Sequence, residues 1–339
     1  MKMRKTPYFV EKVKAIEVKN KTISQLLAEM KDTGFQGRKL GEAAEVWGEM
    51  LRQEDLTIFL GYAGSMSTTG MWKIICWLIE NRFIDVLIST GANISEDIIE
   101  AMGSTYWKGS DKLDDADLLK QKIDRFYDVL VDELEYRKME QMLREFMESL
   151  NWDHDLSSRE FLYMLGKWLY EEKGINCIVS TAYRKKVPIF CPAIVDSGYG
   201  IAAILAKEKG VKVRIDQVKD FEEIVSIGER SKRTGVIYLG GGVPKDFTQL
   251  VAVAVDLKRG GEEPYPHEYA IQITTDSPQW GGLSGCTLEE AISWGKVSPR
   301  GKHITCYCDV TIALPLISHA LNERVKKRHN APDFSWLFE

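Results

Sequence analysis

Several things are missing from this 339-residue sequence, and each absence removes a class of protein. There is no run of 18 apolar residues, so no segment reads as a membrane-crossing helix. The amino terminus, Met1 to Lys5, is basic but leads into polar residues where a secretory leader would have an apolar core, and a cytoplasmic location is expected. Basic charge is not in excess: 45 Lys and Arg face 50 Asp and Glu, for a net charge of -5. A nucleic-acid partner needs a positive field to neutralise phosphates, so none is expected; a small cationic ligand suits the balance better. The six cysteines, Cys76, Cys177, Cys191, Cys286, Cys306 and Cys308, lack zinc-site spacing. Reduced thiols and no metal are expected. No repeat, low-complexity tract or Pro/Gly-rich linker marks a boundary, and a single domain spanning 1–339 is expected.

What is present is an ordinary globular composition, 44% apolar and 28% charged. Ile23, Leu26, Leu27 and Met30 form one helical stripe, and Leu40, Ala43, Ala44, Trp47 and Leu51 a second, which predicts amino-terminal helices over about 22–52. Short apolar runs at 57–61 and 234–239, each ending at glycine, read as buried parallel strands. Further strands are expected at 85–90, 187–191, 211–215, 269–273 and 304–309, with helical stretches between most of them. The charged stretch 111–150 carries a stripe of Val131, Leu134, Met142, Phe146 and Leu150, and is expected to be a helical excursion with a solvated face. Strand and helix in alternation predict an α/β fold, a doubly wound and mainly parallel sheet of Rossmann-like type with added helices. Ligands of such sheets sit on loops at the carboxyl ends of the strands.

Those loops hold the chemically suggestive residues. Gly240-Gly241-Gly242 suits a turn where backbone approaches a ligand, although it lacks the Gly-x-Gly-x-x-Gly spacing of a classical dinucleotide fingerprint. Residues 61–70 offer Ser65, Ser67, Thr68 and Thr69, and the next strand ends in Thr90-Gly91-Ala92-Asn93. Each pattern suits a phosphate at a helix amino terminus, and equally an ordinary helix cap. The stretch 281–296 is more informative, with Glu290, Trp294 and Lys296 after a loop of small residues.

With Ser293-Trp294-Gly295-Lys296 intact, preceded by Ser284-Gly285 and Glu290-Ala291, the chain resembles the deoxyhypusine synthase family from about Ile23 to about Pro315. Other matching pieces recur in order: Thr33-Gly34-Phe35-Gln36, Ile58-Phe59-Leu60-Gly61-Tyr62, Asp85-Val86-Leu87, Glu96-Asp97, Pro192-Ala193, and Asp309 followed by Pro315. The resemblance implies an enzyme that uses NAD to oxidise spermidine, carries the aminobutyl group as an imine on a lysine, and passes it to a lysine of a protein acceptor. Lys296 would be that nucleophile, with Trp294 and Glu290 beside it. A lysine must be neutral to attack, so a desolvated pocket with a lowered pKa is expected. The cofactor places correspond to Ser65, Thr68, Thr90, Gly91, Glu96, Asp196, Thr275 and Asp309, with Glu96 or Asp196 on ribose hydroxyls. The resemblance also implies a homotetramer with sites between subunits.

The pattern breaks around the amine. Two family carboxylates are replaced by Ile201 and Leu283, and Asp246 stands where the family has a histidine. These residues, with Gly241 and Gly281, are the candidate substrate contacts. A protonated amine against Ile201 and Leu283 loses a charged partner, so putrescine, agmatine or homospermidine formation enters as a changed donor or acceptor. A non-catalytic NAD-binding scaffold, a homospermidine synthase-like enzyme and a simple amine dehydrogenase are the competing readings.

Overall fold

The computed structural model describes residues 8–261 and 264–339. Its strands are β1 Leu56–Tyr62, β2 Val86–Ser89, β3 Trp107–Lys108, β4 Ile123–Phe126, β5 Val129–Asp132, β6 Ile189–Phe190, β7 Arg233–Leu239, β8 His267–Thr274 and β9 Val297–Tyr307. Six of them make one sheet in the order β6-β2-β1-β7-β8-β9, and every neighbouring pair is parallel. The chain starts at the sheet's centre, winds to one edge through β2 and β6, then returns past β1 to β7, β8 and β9. Renumbered by position, this is the doubly wound dinucleotide-fold order, whose ligand crevice opens where the winding reverses. Here that point lies between β1 and β7.

Every residue of β1 is buried, because helices cover both faces of the sheet. Side chains alternate across it: Ile58, Leu60 and Tyr62 enter one apolar cluster, while Phe59 enters the other. The first cluster takes in the amino-terminal helices Ile23–Lys31 and Phe35–Met50, and the second the helix Gly242–Lys258 and the carboxyl-terminal tail. Among the described residues, no helix is long and apolar enough to cross a membrane.

Two expectations fail. Residues 211–215 form no strand; only Ile215 makes an isolated bridge, to Leu156. Val211, Val213 and Ile215 alternate there with Lys212 and Arg214, so the segment half-buries one side, but its only backbone pairing of this kind is with Leu156, which lies in a loop. The excursion 111–150 is not wholly helical either. It holds β4 and β5, which form an antiparallel sheet with β3, before the helix Glu133–Ser149. Tyr127, at φ 53, turns the chain between β4 and β5, and such a left-handed residue matches the twist of a tight hairpin. Apolar periodicity saw the helix and missed the turn.

Candidate active site at the sheet's carboxyl edge

At the end of β1, residues 63–70 fold over the start of the helix Gly91–Ala101. Asn93 staples the two: its Oδ1 accepts from the amides of Met66 (2.6 Å) and Ser67 (3.3 Å), and its Nδ2 donates to the carbonyls of Tyr62 and Ala63, both at 3.1 Å. The Thr90 hydroxyl donates to the Gly64 carbonyl at 2.7 Å and so does not cap its own helix. The first-turn amides after Thr90 are therefore left without a side-chain cap, in the position where a helix amino terminus receives an anion. A Cβ on Gly91 would lie 2.3 Å from Ser197 Oγ, so only glycine lets the loop after β6 come this close. That contact brings Asp196, which is exposed, to the same edge.

Glu96 lies 5% exposed on the inner side of this helix. Its carboxylate accepts from Ser65 Oγ at 2.5 Å and from the Tyr136 hydroxyl at 2.7 Å. Burial raises its pKa, and the two hydrogen bonds pull the other way. Tyr136 comes from the excursion read as a solvated face, and it sits in an aromatic group with Phe126 and Tyr106, whose hydroxyl donates to the Glu96 carbonyl at 2.8 Å. Sequence reasoning missed Tyr136 and Tyr106; no local pattern marks a tyrosine that meets a carboxylate 40 positions away. Thr68 donates to the Ser65 carbonyl at 2.9 Å. Thr275 and Asp309 are exposed on the loops after β8 and β9, and Asp309 also caps the helix Val310–Arg324.

A second group forms across the crevice. Gly240-Gly241-Gly242 follows β7, and a Cβ on Gly241 would lie 2.4 Å from Ser284 Cα, so this turn and the 283–286 turn are in close backbone contact. The Ser284 hydroxyl accepts from the Gly242 amide at 3.1 Å. Gly281 ends a short 3-10 turn at φ 75. Residues 288–293 then form one helical stretch capped by Thr287, and Lys296 follows it. Lys296 Nζ reaches Asp246 Oδ1 at 2.8 Å and lies 5.6 Å from the centre of the Trp294 ring. The Lys296 side chain is 13% exposed, while Trp294 is 67% exposed. Asp246, and not the indole, is thus the lysine's close partner. The expected enclosure by Trp294 is not made within one chain. Glu290 is exposed on the same helical stretch.

Ile201 and Leu283 lie on different elements, a helix and a turn. Ile201 lines an apolar groove of about 760 Å³ with Val195, Ile204, Val211 and Val213, while Leu283 is exposed on a turn whose carbonyl accepts from Lys245.

A parallel α/β chain with an anion-ready helix terminus on one side of its switch point and a carboxylate-paired lysine on the other has a layout that suits a group-transfer enzyme. Residues 25–321 match the family model described as deoxyhypusine synthase, and the chain belongs to that family. It is 52% identical to "Probable deoxyhypusine synthase 2" of Archaeoglobus fulgidus over 292 residues, 86% of this chain and 95% of that one. The same organism's "Probable deoxyhypusine synthase 1" is 40% identical over 302 residues, 89% of this chain and 94% of that one. The crystal structure of an Entamoeba histolytica protein assigned as a deoxyhypusine synthase superposes with a TM-score of 0.62 at 19% identity, covering 91% of this chain and 96% of that one, and shares the fold.

Proposed function

We propose that the chain is an NAD-dependent aminoalkyl transferase of the deoxyhypusine synthase type, with Lys296 carrying the group as an imine. The observation that carries this reading is the 2.8 Å contact between Lys296 Nζ and Asp246 Oδ1. A lysine nucleophile must first give up a proton, and a carboxylate at hydrogen-bond distance is placed to take it. The exposed Trp294 face offers a surface for a cationic amine.

The crevice fits a dinucleotide. The uncapped start of the helix Gly91–Ala101 and the hydroxyls of Ser65, Thr68 and Thr90 suit the phosphates, while Glu96, Asp196, Thr275 and Asp309 supply polar groups around the same edge. Bound NAD would accept a hydride from the donor amine and return it at the end, so the transfer consumes no net oxidant. Glu96 is already bonded to Ser65 and Tyr136, which leaves Asp196 the freer carboxylate for ribose hydroxyls.

The amine is where this chain departs from its family. Ile201 and Leu283 replace anions, whereas Asp246 adds one directly beside Lys296. A shorter donor with fewer charges to pair, such as putrescine, or a guanidino amine such as agmatine gripped by Asp246 as a fork, suits this arrangement better than spermidine. The greater identity to the Archaeoglobus protein numbered 2 than to the one numbered 1 supports a distinct subgroup. The acceptor is then a small amine, giving homospermidine synthase-like chemistry, or a protein lysine. The exposed apolar groove at Ile201 and the uncovered Trp294 favour a homotetramer whose sites are closed by a neighbouring subunit.

The test is to incubate the protein with NAD and, separately, spermidine, putrescine and agmatine, reduce with borohydride and map adducts by mass spectrometry. An adduct on Lys296 from one amine, absent in Lys296→Ala, is expected. NAD binding without any adduct on Lys296 would instead favour a non-catalytic scaffold.

A further inference from the structure

Next to Asp246 in the chain is a lysine that neither the sequence reading nor the proposed chemistry uses. Lys245 is 1% exposed, and its ammonium donates to Gln272 Oε1 at 2.9 Å, to the Leu283 carbonyl at 3.3 Å and to the Cys286 carbonyl. Three acceptors fill the three N–H donors of a charged lysine; a neutral amine would have only two to offer. Gln272 in turn donates to the carbonyls of Gly240 (3.1 Å) and Ser284 (2.8 Å). Lys245 and Gln272 therefore bind the turn 283–286 to the glycine turn, and the segment bearing Trp294 and Lys296 starts from that turn.

Holding two turns together does not by itself require a charge, because burying an ammonium carries a desolvation cost and a neutral donor could serve. All three direct acceptors are neutral oxygens. The charges within its electrostatic reach are Asp246 on its own helix, Glu290 on the stretch 288–293, and Lys296, with the Cys286 thiol also facing it and the Tyr238 ring 6.0 Å away on β7. Burial lowers the pKa of Lys245. Charge counting gives the buried cation a purpose. While Lys296 is an ammonium, it neutralises Asp246; once Lys296 has given its proton to Asp246, and the part-exposed Asp246 has passed it to solvent, the carboxylate is again charged beside a neutral amine, and Lys245 is fixed one residue away to supply the positive charge.

We propose that Lys245 is a positioning residue for Lys296, fixing the 283–286 turn and compensating Asp246 when Lys296 becomes a neutral nucleophile. The inference rests on Lys296 being the imine-forming lysine, but its test needs neither NAD nor the donor amine. The full-length protein is treated with butanal and cyanoborohydride across a pH series, and alkylation of Lys296 is quantified by mass spectrometry. In Lys245→Met, the rate at about pH 8 is expected to fall roughly ten-fold, the equivalent of a one-unit shift in the profile, and to approach the parent rate at about pH 10. Lys245→Arg, which keeps the charge, is expected to restore the parent midpoint. Should the methionine variant not fold, Gln272→Glu sets an anion against Lys245 and is expected to move the profile in the same direction. A folded variant of either kind with an unshifted profile overturns the role of Lys245 alone. Failure of the parent protein to capture aldehyde on Lys296 at any pH overturns the imine role, and this inference with it.

Discussion

Asp246 and Tyr136 show how single residues set this site apart. Asp246 occupies a position where the resemblance implies a histidine, and it brings a full negative charge to 2.8 Å from Lys296. Asp246→Asn keeps the shape and removes the proposed proton acceptor. Amine-dependent borohydride trapping on Lys296 is expected to fall about 100-fold at neutral pH, the lower end of what general base catalysis contributes. Tyr136 gives Glu96 one of its two side-chain hydrogen bonds. Tyr136→Phe is expected to cost about 2 kcal/mol in urea unfolding, as suits a hydrogen bond to a charged acceptor, and to raise the Glu96 pKa further. An unchanged unfolding midpoint would show that the phenol contributes nothing there.

Among the elements, the glycine turn after β7 has no room for a side chain at Gly241. Gly241→Ala would press a methyl group to 2.4 Å from Ser284 Cα, so the turn carrying Lys245's acceptors must move. Overpacking of this kind costs about 1–3 kcal/mol. A lower melting temperature together with lost Lys296 labelling is expected; lost stability with full labelling would mean that the two turns are independent. The strands around it were legible from the sequence because burial on both faces of a parallel sheet leaves a continuous apolar run, as in β1 and β7. The hairpin of β4 and β5 was not legible, since Tyr127 does not have the residue type that usually signals a left-handed turn. Nor was the irregular path of 211–215: its alternating pattern fits a strand, yet it makes only the isolated bridge to Leu156.

At the scale of the molecule, two carboxyls buried beneath the helices tie stability to pH. Asp97 and Asp220 are both raised from 3.8 to about 7, chiefly by burial. Asp97 accepts from the Ile178 amide at 2.6 Å, and Asp220 from the Arg159 amide at 3.2 Å, so each serves a helix start. Their folded pKa values exceed the unfolded ones, so the folded chain binds more protons between about pH 4 and pH 7. Their stabilising contribution is complete below that window and is lost as pH rises through about 7. Urea unfolding should therefore show stability from this pair declining across the window, with a flatter slope in Asp97→Asn. An equally steep slope in that variant would remove Asp97 from the account.

The sequence by itself determined the parallel α/β architecture and the family, because apolar periodicity and the Ser293-Trp294-Gly295-Lys296 motif are local signals. It also located the changed positions Ile201, Leu283 and Asp246 by comparison with the family pattern. Tertiary structure decided which side chains meet. It paired Lys296 with Asp246 from 50 positions away, closed Tyr136 over Glu96 and buried Lys245 against the 283–286 turn. Such meetings depend on how loops from different strands converge at one sheet edge, and neither spacing nor periodicity along the chain encodes that convergence.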